Sequence, residues 1–130
     1  MRYLRFVIAA KHKDSGVREG LFQVAGRLAR SGTLSEPEQA RLDDLRSWFG
    51  KHLRVPERFT RTRNASHKRT RGIAWFKDTA RDYLRRMREL AAILVENDIL
   101  VEVIETDRPG YLTYEDEIQV VAEPFSDTGA

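Results

Sequence analysis

Apolar positions along this chain fall into blocks whose spacing changes from one block to the next. In RYLRFVIA, Arg2 to Ala9, Tyr3 and then Phe6 to Ala9 make a run of β-formers, with Arg2 and Arg5 out of phase with one another. Such a run predicts a strand whose second half is buried on both faces. It gives way to KHKDSG, where Asp14 or Ser15 is placed to accept the orphan N–H groups of a following helix. From about Gly16 to Arg30, Val17, Leu21, Val24 and Leu28 recur at helical spacing, while Arg18, Arg27 and Arg30 lie elsewhere on the wheel. Ser31-Gly32 stops that helix, since glycine takes a left-handed cap freely. SEPE, Ser35 to Glu38, then has the form of a capping box with proline in the first turn. The helix it opens carries Leu42, Leu45 and Phe49 on one face, with Trp48 flanking. Gly50 and Val55-Pro56 close it.

The next stretch, Arg54 to Arg71, holds one bulky apolar residue, Phe59, and no apolar period. It reads as a long loop, and structureless connections above about 12–15 residues are uncommon in compact domains unless functional or disordered. Periodicity returns from Gly72 to Asp98. There Phe76, Ala80, Tyr83, Met87, Leu90 and Leu94 form a stripe, and Asp82/Arg86 and Arg85/Glu89 lie four apart opposite it. That pattern predicts a single long third helix covering a sheet. ILVEVIETD, Ile99 to Asp107, partly alternates and is rich in Val and Ile, hence a strand. Pro109-Gly110 is the central pair of a type II turn, YLTY the next strand, and Glu115 to Glu117 a hairpin turn into IQVVAEPF. These three strands make an antiparallel meander, and the small, polar tail at 126–130 is expected to fray.

The sum is an α+β fold in one domain over residues 1–125. It comprises an N-terminal strand, three helices and a C-terminal antiparallel three-stranded meander, with one sheet and the helices mainly on one of its faces. The order of strand, helices and meander resembles that of the RelE/ParE group of small bacterial toxins, several of which cut RNA on the ribosome. The likeness lies in element order alone, this chain has an extra helix, and no catalytic residue carries across.

Composition narrows the picture. At 130 residues, 41% apolar and 33% charged, the chain is sized for one core under a charged surface. The absence of cysteine excludes disulfide scaffolds, thiolate metal sites and a cysteine nucleophile. The apolar stretch at the start is too short for a signal peptide and is interrupted by Arg5, so a cytoplasmic protein without membrane spans is expected. The sequon at Asn64 matters only in a secreted protein.

A sequence pI near 9.4 and a net charge of +3 imply only weak attraction to polyanions. The distribution of charge says more. Arg54, Arg58, Arg61, Arg63, Lys68, Arg69 and Arg71 face one acid, Glu57, whereas Glu96 to Glu123 is rich in acids with Arg108 as its one base. Three readings of the basic stretch compete: phosphates of RNA or DNA, an acidic protein surface, or water. For nucleic acid, Arg58, Arg61, Arg63, Lys68, Arg69 and Arg71 would contact phosphates, with His67 and Trp75 at the margin and Phe59 or His67 stacking on unpaired bases. For the second reading, Glu115, Asp116 and Glu117 form an acidic partner surface, met within the molecule or by another copy in a homo-oligomer. Lys11, His12 and Lys13 before a helix start are a secondary anion site, with Asp14 working against phosphate.

The histidines His12, His52 and His67 are scattered, and the sequence calls for no metal and no cofactor. His67 with Arg63, Lys68 or Arg71 has the residue types for phosphodiester cleavage, which keeps a small nuclease or toxin-like protein as the third option. Foremost is a small accessory or regulatory binder of RNA or DNA. The alternative is a non-enzymatic interaction or self-associating module built on the two charged poles.

Overall fold

Strand β1, Tyr3–Lys11, forms where the opening run of β-formers predicts it. Phe6 and Val7, successive residues on opposite faces, are both buried, which is the two-sided burial the run implied. The computed structural model describes residues 1–11, 18–54 and 72–125. The further elements are β2 (Arg18–Gly20), α1 (Leu21–Arg30), α2 (Glu36–His52), β3 (Ile73–Lys77), α3 (Arg81–Glu96), β4 (Val101–Thr106), β5 (Tyr111–Glu115) and β6 (Gln119–Glu123). Among the described residues, three helices and one six-stranded sheet make the architecture α+β, as the patterning predicts. Sheet order is β2-β1-β3-β6-β5, and β4 pairs with β1. The pairings of β1 with β2, β1 with β3, β3 with β6 and β6 with β5 are antiparallel.

Two compact units divide the chain: Met1–Arg5, Arg54–Arg81 and Glu105–Ala130 in the first, Phe6–Leu53 and Asp82–Ile104 in the second. Buried in the first are Leu4, Trp75, Phe76, Ala80, Val120, Val121 and Ala122, together with the amide side chain of Gln119. In the second the core is Phe6, Val7, Leu21, Val24, Ala25, Leu42, Leu45, Phe49, Leu84, Met87, Leu90, Ile93 and Leu94. The stripe on α2 is thus the one its spacing foretold. Its start is as well: the Glu38 N–H donates to Ser35 Oγ at 3.3 Å, and Pro37 sits in the first turn.

Two boundaries differ from the pattern-based expectation. Residues 73–77, expected to open the third helix, form β3, and α3 begins only at Arg81 after a turn at Asp78-Thr79. Ile73, Trp75 and Phe76 are β-branched or aromatic, and register with Ala122, Val120 and Gln119 of β6 supplies a ladder that outweighs the helical phase shared by Phe76 and Ala80. The α3 stripe accordingly runs through Leu84, Met87, Leu90, Ile93 and Leu94, leaving Tyr83 half-buried. Likewise residues 18–20 pair with β1, Val7 opposite Gly20, so α1 starts at Leu21 with Gly20 as a cap that has no side-chain bond. The caps expected at Asp14 and Ser15 lie outside the described residues.

The C-terminal strands follow in the expected order along the chain, but of the expected meander it is the β5–β6 pair that forms, as a hairpin, β4 lying against β1 and not against β5. Gly110 has φ +134°, and a Cβ there would come within 2.9 Å of the Pro124 Cα, so both its backbone angle and its surroundings require glycine. α3 ends in a Schellman arrangement: the Asp98 N–H donates to the Val95 carbonyl (3.1 Å) and the Ile99 N–H to the Leu94 carbonyl (3.0 Å). Asp98 takes the left-handed angle, φ +65°, that glycine usually fills there.

Candidate functional site

The first unit holds the flanks of the basic stretch and the acidic hairpin. Arg58, Arg61, Arg63, His67, Lys68, Arg69 and Arg71 lie outside the described residues, as do His12 and Lys13; Lys11 is the last residue of β1. The flanks are fixed. The Gln119 side-chain amide donates to the Arg54 carbonyl (3.1 Å), and Ile73 is in register with Ala122. Residues on either side of 55–71 are therefore fastened to one strand, β6, at positions about 10 Å apart along it.

Glu115, Asp116 and Glu117 occupy the end of the β5–β6 hairpin, and two of them are already engaged. Glu115 pairs with the Lys77 ammonium at 2.6 Å. Asp116 Oδ1 accepts from the N–H groups of Ile118 (2.8 Å) and Gln119 (2.9 Å), closing the turn as a side-chain mimic of a helix cap. Asp116 Oδ2 accepts the Tyr114 hydroxyl at 2.7 Å. Burial pushes the Asp116 carboxyl up, but the donors from Tyr114, Ile118 and Gln119 together outweigh it and hold the group below the ordinary carboxylate value. The Tyr114 phenol, bonded to that carboxylate, is pushed above its usual value, with the Arg54 guanidinium pulling the other way. Glu117 is exposed and has no ion pair among the described residues.

Trp75, expected at the margin of a ligand site, is instead an interior residue. It is 1% exposed in β3, opposite Val120, and its indole N–H meets no acceptor among the described residues. Its burial follows from the strand that replaced the predicted helix.

The second unit carries a cluster that pattern reading overlooked. Trp48 near the end of α2 is half-buried, with the His52 imidazole stacked on it (centroids 4.2 Å, planes 17°) and the Arg86 guanidinium carbon 3.9 Å from its centroid. Phe49 and Tyr83 meet it edge-on at 5.2 and 4.8 Å. The Tyr83 hydroxyl donates to the His52 carbonyl at 3.2 Å, joining α3 to the last turn of α2. The spacings of Trp48 with His52 and of Tyr83 with Arg86 were visible in the sequence. What brings the two pairs together, the packing of α3 on α2, was not.

Other carboxylates have partners: Glu102 with Arg18, Glu105 with Arg2 at 3.4 Å, and Glu19 with both arms of Arg27 at 2.8 Å. Among the described residues no three His, Asp or Glu side chains are grouped to hold a metal ion, and no helix is long and apolar enough to cross a membrane. No protein-family model, curated protein or solved structure matches the chain.

Proposed function

We propose that this protein is a small accessory or regulatory protein that binds a nucleic acid, RNA or DNA, through the cations between Arg54 and Arg71. Lys and Arg so crowded gain by displacing the counterions condensed on a polyphosphate, and each Arg adds a planar fork for two phosphate oxygens. The observation that carries the reading is the state of the acidic hairpin. The Glu115 carboxylate is taken by Lys77 and that of Asp116 by Tyr114 and two backbone N–H groups. Two of the three acids of the hairpin are thus committed to partners outside the cation-rich segment. The fastening of both flanks, Arg54 and Ile73, to β6 further supports the reading.

Electrophoretic or anisotropy titrations of a labelled oligonucleotide against salt test this. With about four phosphates neutralised, log affinity falls with log salt at a slope of roughly −3 to −4. A variant with Arg61, Arg63, Arg69 and Arg71 changed to Gln flattens that slope while retaining the wild-type circular dichroism. An unaltered slope in the folded variant removes the segment as the site.

A further inference from the structure

From the Trp48 cluster we infer that the last turn of α2 and the first turns of α3 form a stacking site for an unpaired nucleobase, which makes the nucleic acid proposed above a single strand; the inference rests on that reading.

Each ring of the cluster is held by more than one contact. Trp48 is fixed edge-on by Phe49 and Tyr83 and overlaid by Arg86, whose guanidinium also donates to the Asp82 carbonyl at 3.2 Å. His52 stacks on Trp48 and places Nδ1 2.8 Å from the Trp48 carbonyl. A carbonyl only accepts, so Nδ1 carries the hydrogen, and in the neutral ring Nε2 is left as an acceptor for a base N–H or a ribose hydroxyl. A prearranged stack of this kind spares a ligand much of the cost of ordering the side chains it meets.

The cluster is not closed on itself. His52 is exposed, and among the described residues no ring besides Trp48 stacks on it, so the column of Trp48 and His52 presents an aromatic face to solvent. Cations adjoin it: Arg86 lies over Trp48, Lys51 precedes His52, and the chain passes from His52 through Leu53 into Arg54, the first cation of the basic run. Asp82 and Glu89 are the acids on the first turns of α3, and Asp82 is paired with Arg85 at 3.3 Å. Aromatic faces among cations are how proteins hold unpaired bases. In a duplex both faces of an internal base are covered by its neighbours.

Anisotropy titrations with labelled oligouridine, oligothymidine and a duplex of matched length separate the possibilities, using wild type, His52→Ala, Arg86→Gln and the four-Gln variant. The expected result is tighter binding of wild type to single strands. In His52→Ala and Arg86→Gln that affinity drops about tenfold while duplex affinity and salt slope hold. Uridine and thymidine arms show whether the ribose hydroxyl adds to the contact at Nε2. His52→Ala, at an exposed position, leaves the fold intact, so a wild-type ratio of single-strand to duplex affinity in that variant overturns the stacking site while leaving the basic segment in place. A salt slope unchanged in the four-Gln variant, with the single-strand preference lost in His52→Ala, removes the segment and retains the stacking site. Failure of wild type to bind either polymer overturns both.

Discussion

Replacing Asp116 tests whether its carboxylate is engaged by its own hairpin. Asp116→Ala withdraws the acceptor of the Ile118 N–H, the Gln119 N–H and the Tyr114 hydroxyl at once. Hydrogen bonds to a charged group contribute about 1.5–3 kcal/mol each when fully buried, but these are only part-buried and water replaces some of what is lost. A side chain capping two backbone donors is worth about 0.5–2 kcal/mol, so with the tyrosine bond added the expected loss is about 2 kcal/mol. In urea unfolding followed by circular dichroism this lowers the midpoint by about 1 M.

Asp116→Asn keeps an acceptor at Oδ1, so it costs about half as much, and it also tests pH. Because the folded carboxyl lies below its unfolded value, the folded state binds fewer protons there. Its stabilisation is complete above the unfolded value of about 3.9 and disappears as pH falls through the folded one. The gap between wild type and Asp116→Asn is therefore constant near neutrality and narrows below about pH 4. A gap unchanged in acid, or Asp116→Ala as stable as wild type, refutes the account of the hairpin and with it the support the hairpin lends to the function.

Gly110→Ala meets the Pro124 Cα and the carbonyl end of Glu123 at a φ foreign to L-residues; calorimetry should show a loss of at least about 3 kcal/mol. Asp98→Gly relieves a left-handed residue at the end of α3 and raises stability by about 0.5–1 kcal/mol in the same assay. Trp75→Phe shortens a buried ring that makes no hydrogen bond among the described residues; it costs about 1–2 kcal/mol and leaves oligonucleotide affinity at the wild-type value, because Trp75 is interior.

What could be read in advance was local. β1, the capping box at Ser35 and the hairpin after Pro109-Gly110 each depend on residues within a few positions of one another, and each is where the pattern put it. β3 was missed because Ile73 to Lys77 is too short to state its own period, and Phe76 and Ala80 fall in phase with the helix beyond. Only pairing with residues 119–122 reveals it as a strand. The pairing of β4 with β1 and the meeting of Trp48 with Arg86 are likewise long-range. The basic run was plain in the sequence, but the engagement of Asp116 was not. Its partners are backbone donors two and three residues on, available only once the turn has closed.

These pairings also change what the uneven charge along the chain means. Counted along the sequence, the acids after Glu96 look like a pole waiting for the cations of 54–71. Glu102 is instead met by Arg18, Glu105 by Arg2 and Glu115 by Lys77, none of which belongs to that run. Exposed pairs of this sort add little stability, about 0–1 kcal/mol each. Their effect on an approaching polyanion is larger. At physiological salt the field of an isolated charge extends about 8 Å, and a carboxylate with an ammonium or guanidinium against it contributes little at that range. These three carboxylates are muted toward a phosphate backbone by the partners close to them. Under the function proposed, muting these carboxylates is what would let a net charge of only +3 suffice for binding through the cations between Arg54 and Arg71.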